Sequence, residues 1–244
     1  MSEFVAEGPG FFGKVRTHGD FVTRRLPAAF VTPWDACLQE GMLFAQRWFG
    51  AQWLPVYLNA PVWCFALGAA ICGESAWAGV VMPGVDRVGR YFPFTIAAPV
   101  APVPCSDAAA WLSGAQCWYD EATRRALSTL ADDFVLDRFD AELDAWGPLT
   151  VAPVAPAASD APAWRLYPLE HAQADDMQPI ATQGGLSALL AVGVETGSSV
   201  WWTQGSSAVP ASLLCGRGLP DGERFVGLLD EARSGWQRVV KLRE

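Results

Sequence analysis

Three short apolar runs, residues 62–67, 77–82 and 92–98, do most to narrow what this chain can fold into. They read V-W-C-F-A-L, W-A-G-V-V-M and F-P-F-T-I-A-A. Each has strand length and is closed off by Gly or Pro. None alternates apolar with polar residues, so both faces of these strands are expected to be covered. Such a sheet needs helices against it, and the sequence supplies them, so the fold class is α/β.

T-P-W-D at 32–35 predicts a helix start, with Thr32 as cap, Pro33 at the first helical position and Asp35 three residues after the cap. Trp34, Leu38, Gly41/Met42, Ala45 and Trp48/Phe49 recur at helical spacing as its buried stripe, and Gly50 ends it. A long helix is expected from Ser106-Asp107, with Trp111, Ala115, Trp118/Tyr119, Ala122, Ala126 and Leu130 on one face. A shorter acidic helix carries Leu136, Phe139, Leu143 and Trp146. Further strands are expected at 10–15, 164–169, 199–203 and 211–215, and further helices at 185–193 and 223–241. Residues 147–163 hold four prolines and read as a semi-extended linker or exposed loop. The chain is therefore expected to be one domain, 1–244, with a possible sub-lobe boundary at 147–163.

Charge excludes some functions. The chain carries a net charge of −9. Residues 120–176 hold twelve acids against four arginines, while residues 1–100 balance seven against seven. No long basic face is visible, so a nucleic-acid partner is not expected. The 26 uncharged residues 48–73 are long enough to span a bilayer, but Pro55, Asn59 and Pro61 interrupt them, so no membrane span is expected. The first ten residues include acids and no apolar core, so no signal peptide is expected and the reading is cytoplasmic. Six cysteines without C-x-x-C spacing read as buried free thiols. With only two histidines, neither a metal site nor a cofactor is expected. G-P-G-F-F-G at 8–13 matches a dinucleotide fingerprint in letters only, because it precedes a strand instead of opening a helix.

Two charged islands interrupt the apolar sequence. One is T-H-G-D-F-V-T-R-R, with His18, Asp20, Arg24 and Arg25. The other is V-D-R-V-G-R-Y-F-P, with Asp86, Arg87 and Arg90. Charges so placed are costly unless paired or solvated. Asp86 suits an arginine partner, and Gly84 and Gly89 suit a sharp turn. Two readings of this island stand side by side: a turn stapled by a salt bridge, and an anion or partner site. His18 with Asp20 has the residue types of a base and its orienting acid, but no nucleophile in a recognisable context accompanies them. The two islands are expected to converge into one polar patch of Asp20, Arg24, Asp86, Arg87 and Arg90. Trp201-Trp202 must point to opposite faces of a strand, and the second face is expected to lie under a helix.

The runs G-F-F-G-K-V-R-T-H-G-D-F-V-T-R-R-L-P, W-L-P-V-Y-L-N-A-P-V-W-C-F-A-L and W-A-G-V-V-M-P-G-V-D-R-V-G-R-Y-F-P-F-T-I-A-A-P resemble the TagF (also ImpM) family of type VI secretion accessory proteins. The matching motif positions are Gly19, Asp20, Phe21 and Arg24, then Asp86, Arg87, Gly89, Arg90 and Pro93. The resemblance implies a three-layer α/β/α sandwich, with a central sheet taken here as mixed. It implies a post-translational negative regulator acting through an FHA-domain scaffold protein, and carries over no catalytic residues. The alternative is a hydrolase, directed at a small molecule or phosphate, with a site around His18, Asp20 and Asp86.

Overall fold

A computed structural model describes residues 8–100, 115–149, 164–167, 179–180, 196–230, 236 and 238–242, with backbone alone at 164–167, 179–180 and 238–242. Its frame is one sheet. The strands are β1 (Gly10–Gly13), β2 (Val22–Arg24), β3 (Trp63–Leu67), β4 (Ala76–Met82), β5 (Phe94–Val100), β6 (Trp164–Tyr167), β7 (Pro179–Ile180), β8 (Ser198–Thr203), β9 (Ser212–Arg217) and β10 (Arg238–Leu242). Their order is β2-β1-β5-β4-β3-β8-β9-β10-β6-β7. The helices are α1 (Ala28–Phe49), α2 (Trp53–Leu58), α3 (Gln116–Ser128), α4 (Leu136–Trp146) and α5 (Gly222–Leu229).

Every pairing in the sheet is antiparallel, so the expected mixed sheet is corrected. The connectors explain it. Residues 68–75, 83–93 and 204–211 join β3 to β4, β4 to β5 and β8 to β9. Each is shorter than the roughly dozen residues that a parallel crossover needs. The apolar runs report burial of both faces and say nothing about strand direction. Strand neighbours divide accordingly: Phe11 joins one core with Val80, Ile96 and Trp202, while Phe12 joins the other with Phe65, Val81 and Trp201.

Helices cover both faces. The first core is closed by Trp118, Tyr119, Ala122 and Ala126 of α3 and by Leu136, Phe139 and Leu143 of α4. The second is closed by Phe30, Trp34, Leu38, Met42 and Ala45 of α1, Tyr57 of α2, and Phe225 and Leu228 of α5. Trp201 stacks on Trp34 with ring centroids 5.8 Å apart, and Trp202 meets Tyr119 edge-on at 4.5 Å. The tandem tryptophans thus meet helices on opposite faces of the sheet, the second under α3 as expected. Trp34 also donates from its indole Nε1 to Thr95 Oγ1 at 3.0 Å, which ties α1 to β5.

Several boundaries differ from the sequence reading. Helix α1 begins one turn early, after Pro27, and Pro33 lies inside it. The apolar stripe is the cause: Phe30 is fully buried and stacks on Trp34, extending the i, i+4 series backwards. Trp48 leaves the stripe and is 59 % exposed. Leu130 falls beyond α3 and is exposed. The expected helix 223–241 is the short helix α5 followed by strand β10, because V-V-K-L pairs with β9. The N-terminal turns of the helix expected from 106, most of the linker 147–163 and the helix expected at 185–193 lie outside the described residues. Cys105 does too. Cys37, Cys64, Cys72, Cys117 and Cys215 are free, and Cys117 is exposed. Burial pushes the thiols of Cys37, Cys64 and Cys72 up to about 12, which leaves them protonated near neutral pH. No helix among the described residues is long and apolar enough to cross a membrane.

Candidate functional site

Both charged islands sit at the end of the sheet where β1 and β4 stop and β5 begins. The loop after β4 closes on itself through the Val85–Tyr91 bridge, the Phe92 amide donating to the Gly84 carbonyl at 3.0 Å and the Asp86 amide to the Arg90 carbonyl at 3.0 Å. Two glycines make this path possible. Gly84 passes so close to neighbouring backbone that a Cβ would stand 2.4 Å from Phe92 O and 2.7 Å from Lys14 O. Gly89 turns the chain at φ +82, a conformation that side-chain-bearing residues adopt at a cost. Tyr57 of α2 brackets the base, its hydroxyl accepting from the Gly84 amide at 2.8 Å and donating to the Gly84 carbonyl at 3.0 Å.

Asp86 is the centre of the loop, and its side chain is 0 % exposed. Its Oδ1 accepts from the amides of Val88 at 3.0 Å and Arg90 at 2.8 Å. Its Oδ2 accepts from Lys14 Nζ at 2.9 Å and Arg90 Nε at 2.7 Å. A carboxylate offers about four lone-pair sites, so four donors leave it no free acceptor. Burial alone would raise its pKa. The Arg90 amide, the Lys14 ammonium, the Arg90 guanidinium and the Val88 amide outweigh that and hold the carboxyl well below its usual range.

The second island leans on the first. The Arg87 amide donates to the His18 carbonyl at 2.9 Å, and Arg90 Nη2 donates to the Gly19 carbonyl. Arg87 lies over Gly19, and Lys14 Nζ stands 5.1 Å above the Phe21 ring. Phe21 in turn stacks on Phe12 and meets Phe92 edge-on. Asp86, Arg87 and Arg90 are thus brought beside the 18–21 loop that holds Asp20. Asp20 is exposed, and its Oδ1 accepts from the Phe21 amide at 2.9 Å. Arg24 points elsewhere. It pairs with Asp140 of α4 at 3.5 Å, and Arg25 reaches the same carboxylate at 2.5 Å.

His18 Nδ1 lies 3.0 Å from Thr17 Oγ1, and no hydrogen bond or ion pair among the described residues joins it to Asp20 or Asp86. Lys14 was missed as a member of the site. Its signal was present: a lysine inside F-F-G-K-V, one residue from Val15, needs a buried acid. Two clefts border helix α3. One, of about 290 Å³, involves Cys64, Asp120, Thr123 and Trp202, and the other, of about 210 Å³, involves Arg124, Arg125 and Arg138. Neither is lined by His18, Asp20 or Asp86.

The fold and this site define an α/β domain with an antiparallel sheet and two charged loops bonded together at one sheet end. Residues 10–146 match the family model described as TagF N-terminal domain, type VI secretion system-associated. That is more than half of the chain, and the chain belongs to the TagF family (also ImpM) of type VI secretion-associated proteins. It is also similar to PA0076 from Pseudomonas aeruginosa PAO1, known from a crystal structure at 2.05 Å. The two share 35 % identity with a TM-score of 0.71, over 91 % of this chain and 94 % of that one. No curated protein matches it.

Proposed function

We propose that this chain is a non-enzymatic regulator of type VI secretion, a post-translational negative regulator that works by binding an FHA-domain scaffold protein. Its interaction surface is the polar patch built from the 18–21 and 86–90 loops. The layered α/β/α arrangement that the family resemblance implies belongs to the same reading, supported by helices on both sheet faces.

The observation that carries the non-enzymatic part of the proposal is the saturation of Asp86. A general base needs a free lone pair and a pKa near the working pH. Asp86 has all its acceptor positions filled and a carboxyl held far below that range. His18 makes no bond to either carboxylate that would orient it for proton transfer. The hydrolase alternative therefore gains no support from its own candidate residues, while a stiff loop with exposed arginines suits binding.

The test is co-purification of the tagged full chain with the FHA-domain component of the same secretion system. Retention at near-stoichiometric yield is expected. Failure to retain a component shown to be present and folded would sink the proposal.

A further inference from the structure

The patch differs from the rest of this acidic chain in what it presents to solvent. Its buried acid, Asp86, is fully engaged with Lys14 and Arg90. Arg90 is nonetheless 57 % exposed along its side chain. Arg87 is exposed, and no ion pair or hydrogen bond among the described residues uses its guanidinium. Of the acids at this end, Asp132 pairs with Arg16 at 3.0 Å, and Asp20 accepts one hydrogen bond, from the Phe21 amide. Beside these cations stand two exposed apolar side chains, Val88 at 65 % and Phe21 at 43 %. The Val88 backbone is held by its amide hydrogen bond to Asp86, and the Phe21 ring by its stack on Phe12.

An unengaged guanidinium offers a planar pair of donors that matches one carboxylate. Arginine and aromatic side chains on a pre-ordered surface are the composition of a binding hot spot, because little freedom is lost on docking. We infer that Arg87, Val88 and Phe21 form a docking site for an acidic segment of a partner protein, in which a carboxylate meets Arg87 and an adjacent apolar side chain meets Phe21 and Val88. The inference rests on reading the loop pair as an interaction surface. A single free fork, with Arg90 already committed to Asp86 and Gly19, suits a carboxylate better than a phosphate, which takes several donors.

The test uses the isotope-labelled full chain and three synthetic peptides. The first alternates Glu with Leu, the second carries Gln for Glu, and the third carries phosphoserine for Glu. Amide shifts at Gly19, Phe21, Arg87, Val88 and Gly89 are expected with the Glu peptide. The Gln peptide should bind at least about tenfold more weakly, because the charge-assisted pair is lost. Arg87→Glu and Val88→Asp should each abolish the shifts without changing the melting temperature, and Arg47→Glu on α1 should leave them intact. Shifts centred elsewhere, equal binding of the Gln peptide, tighter binding of the phosphoserine peptide, or unimpaired binding by Arg87→Glu would overturn the inference. Scaffold capture failing while this titration succeeds strikes the proposed function alone, and the reverse strikes this inference alone.

Discussion

Two clusters each set two cations on one aspartate and differ in burial and in the donors they use. Asp86 with Lys14 and Arg90 is closed from solvent and accepts four hydrogen bonds. Asp140 with Arg24 and Arg25 lies partly open at the edge strand β2, bridging it to α4. The first cluster fixes a backbone path, since two of its four donors are main-chain amides. The second ties two side chains to a carboxylate across water-accessible surface. Burial and donor count, rather than charge density along the chain, separate a structural staple from a surface pair.

Breaking the two clusters in turn sharpens that contrast. Asp86→Ala leaves Lys14 buried without its carboxylate and frees two loop amides. It should cost about 3–5 kcal/mol in a urea titration, the range for removing one partner of a buried pair. A loss below about 1 kcal/mol would place Asp86 with the surface pairs. The same cluster sets an acid dependence. Its folded pKa lies below the unfolded value near 3.9, so its stabilisation is fully present above that pH and is lost as pH falls below it. Asp86→Asn should therefore show a flatter fall in stability below about pH 4 than wild type, read by thermal melts across pH.

Smaller effects follow. Gly89→Ala forces a side chain into a positive φ where nothing else obstructs it, and should cost about 1–2 kcal/mol by chemical denaturation. Arg24→Ala should cost about 0–1 kcal/mol, as exposed pairs do. Arg87→Ala should change stability by less than about 0.5 kcal/mol, because no hydrogen bond or ion pair among the described residues uses its side chain.

The core was legible wherever the signal was local and apolar. The runs at β3, β4 and β5 announced strands buried on both faces, and the stripe of Leu136, Phe139 and Leu143 announced α4. Strand direction was hidden because it depends on connector length and pairing partners, not on the runs themselves. The start of α1 was misplaced because Thr32-Pro33 has the letters of a cap, while the buried pair Phe30 and Trp34 decides the helix. The C-terminal V-V-K-L reads equally well on a helix face until β9 supplies its pairing. In the site, two charged islands in apolar sequence led to the expectation that the Gly19–Arg24 and Asp86–Arg90 loops meet; Arg87 bonds to His18 and Arg90 to Gly19, while Arg24 lies apart. Arg24 was misassigned because its partner, Asp140, is distant in sequence. Lys14 was passed over because a single lysine in a strand-like run does not disclose which acid lies beneath it.

Asp86 is buried with four donors on its carboxylate, the surroundings of an ionised staple. Its side-chain carboxyl ¹³C shift, followed through an acid titration of the wild-type chain, tests this most directly. The carboxyl is expected to stay ionised well below its usual range, until the fold itself gives way. A reversible titration at or above about 4, the ordinary aspartate value, would contradict it.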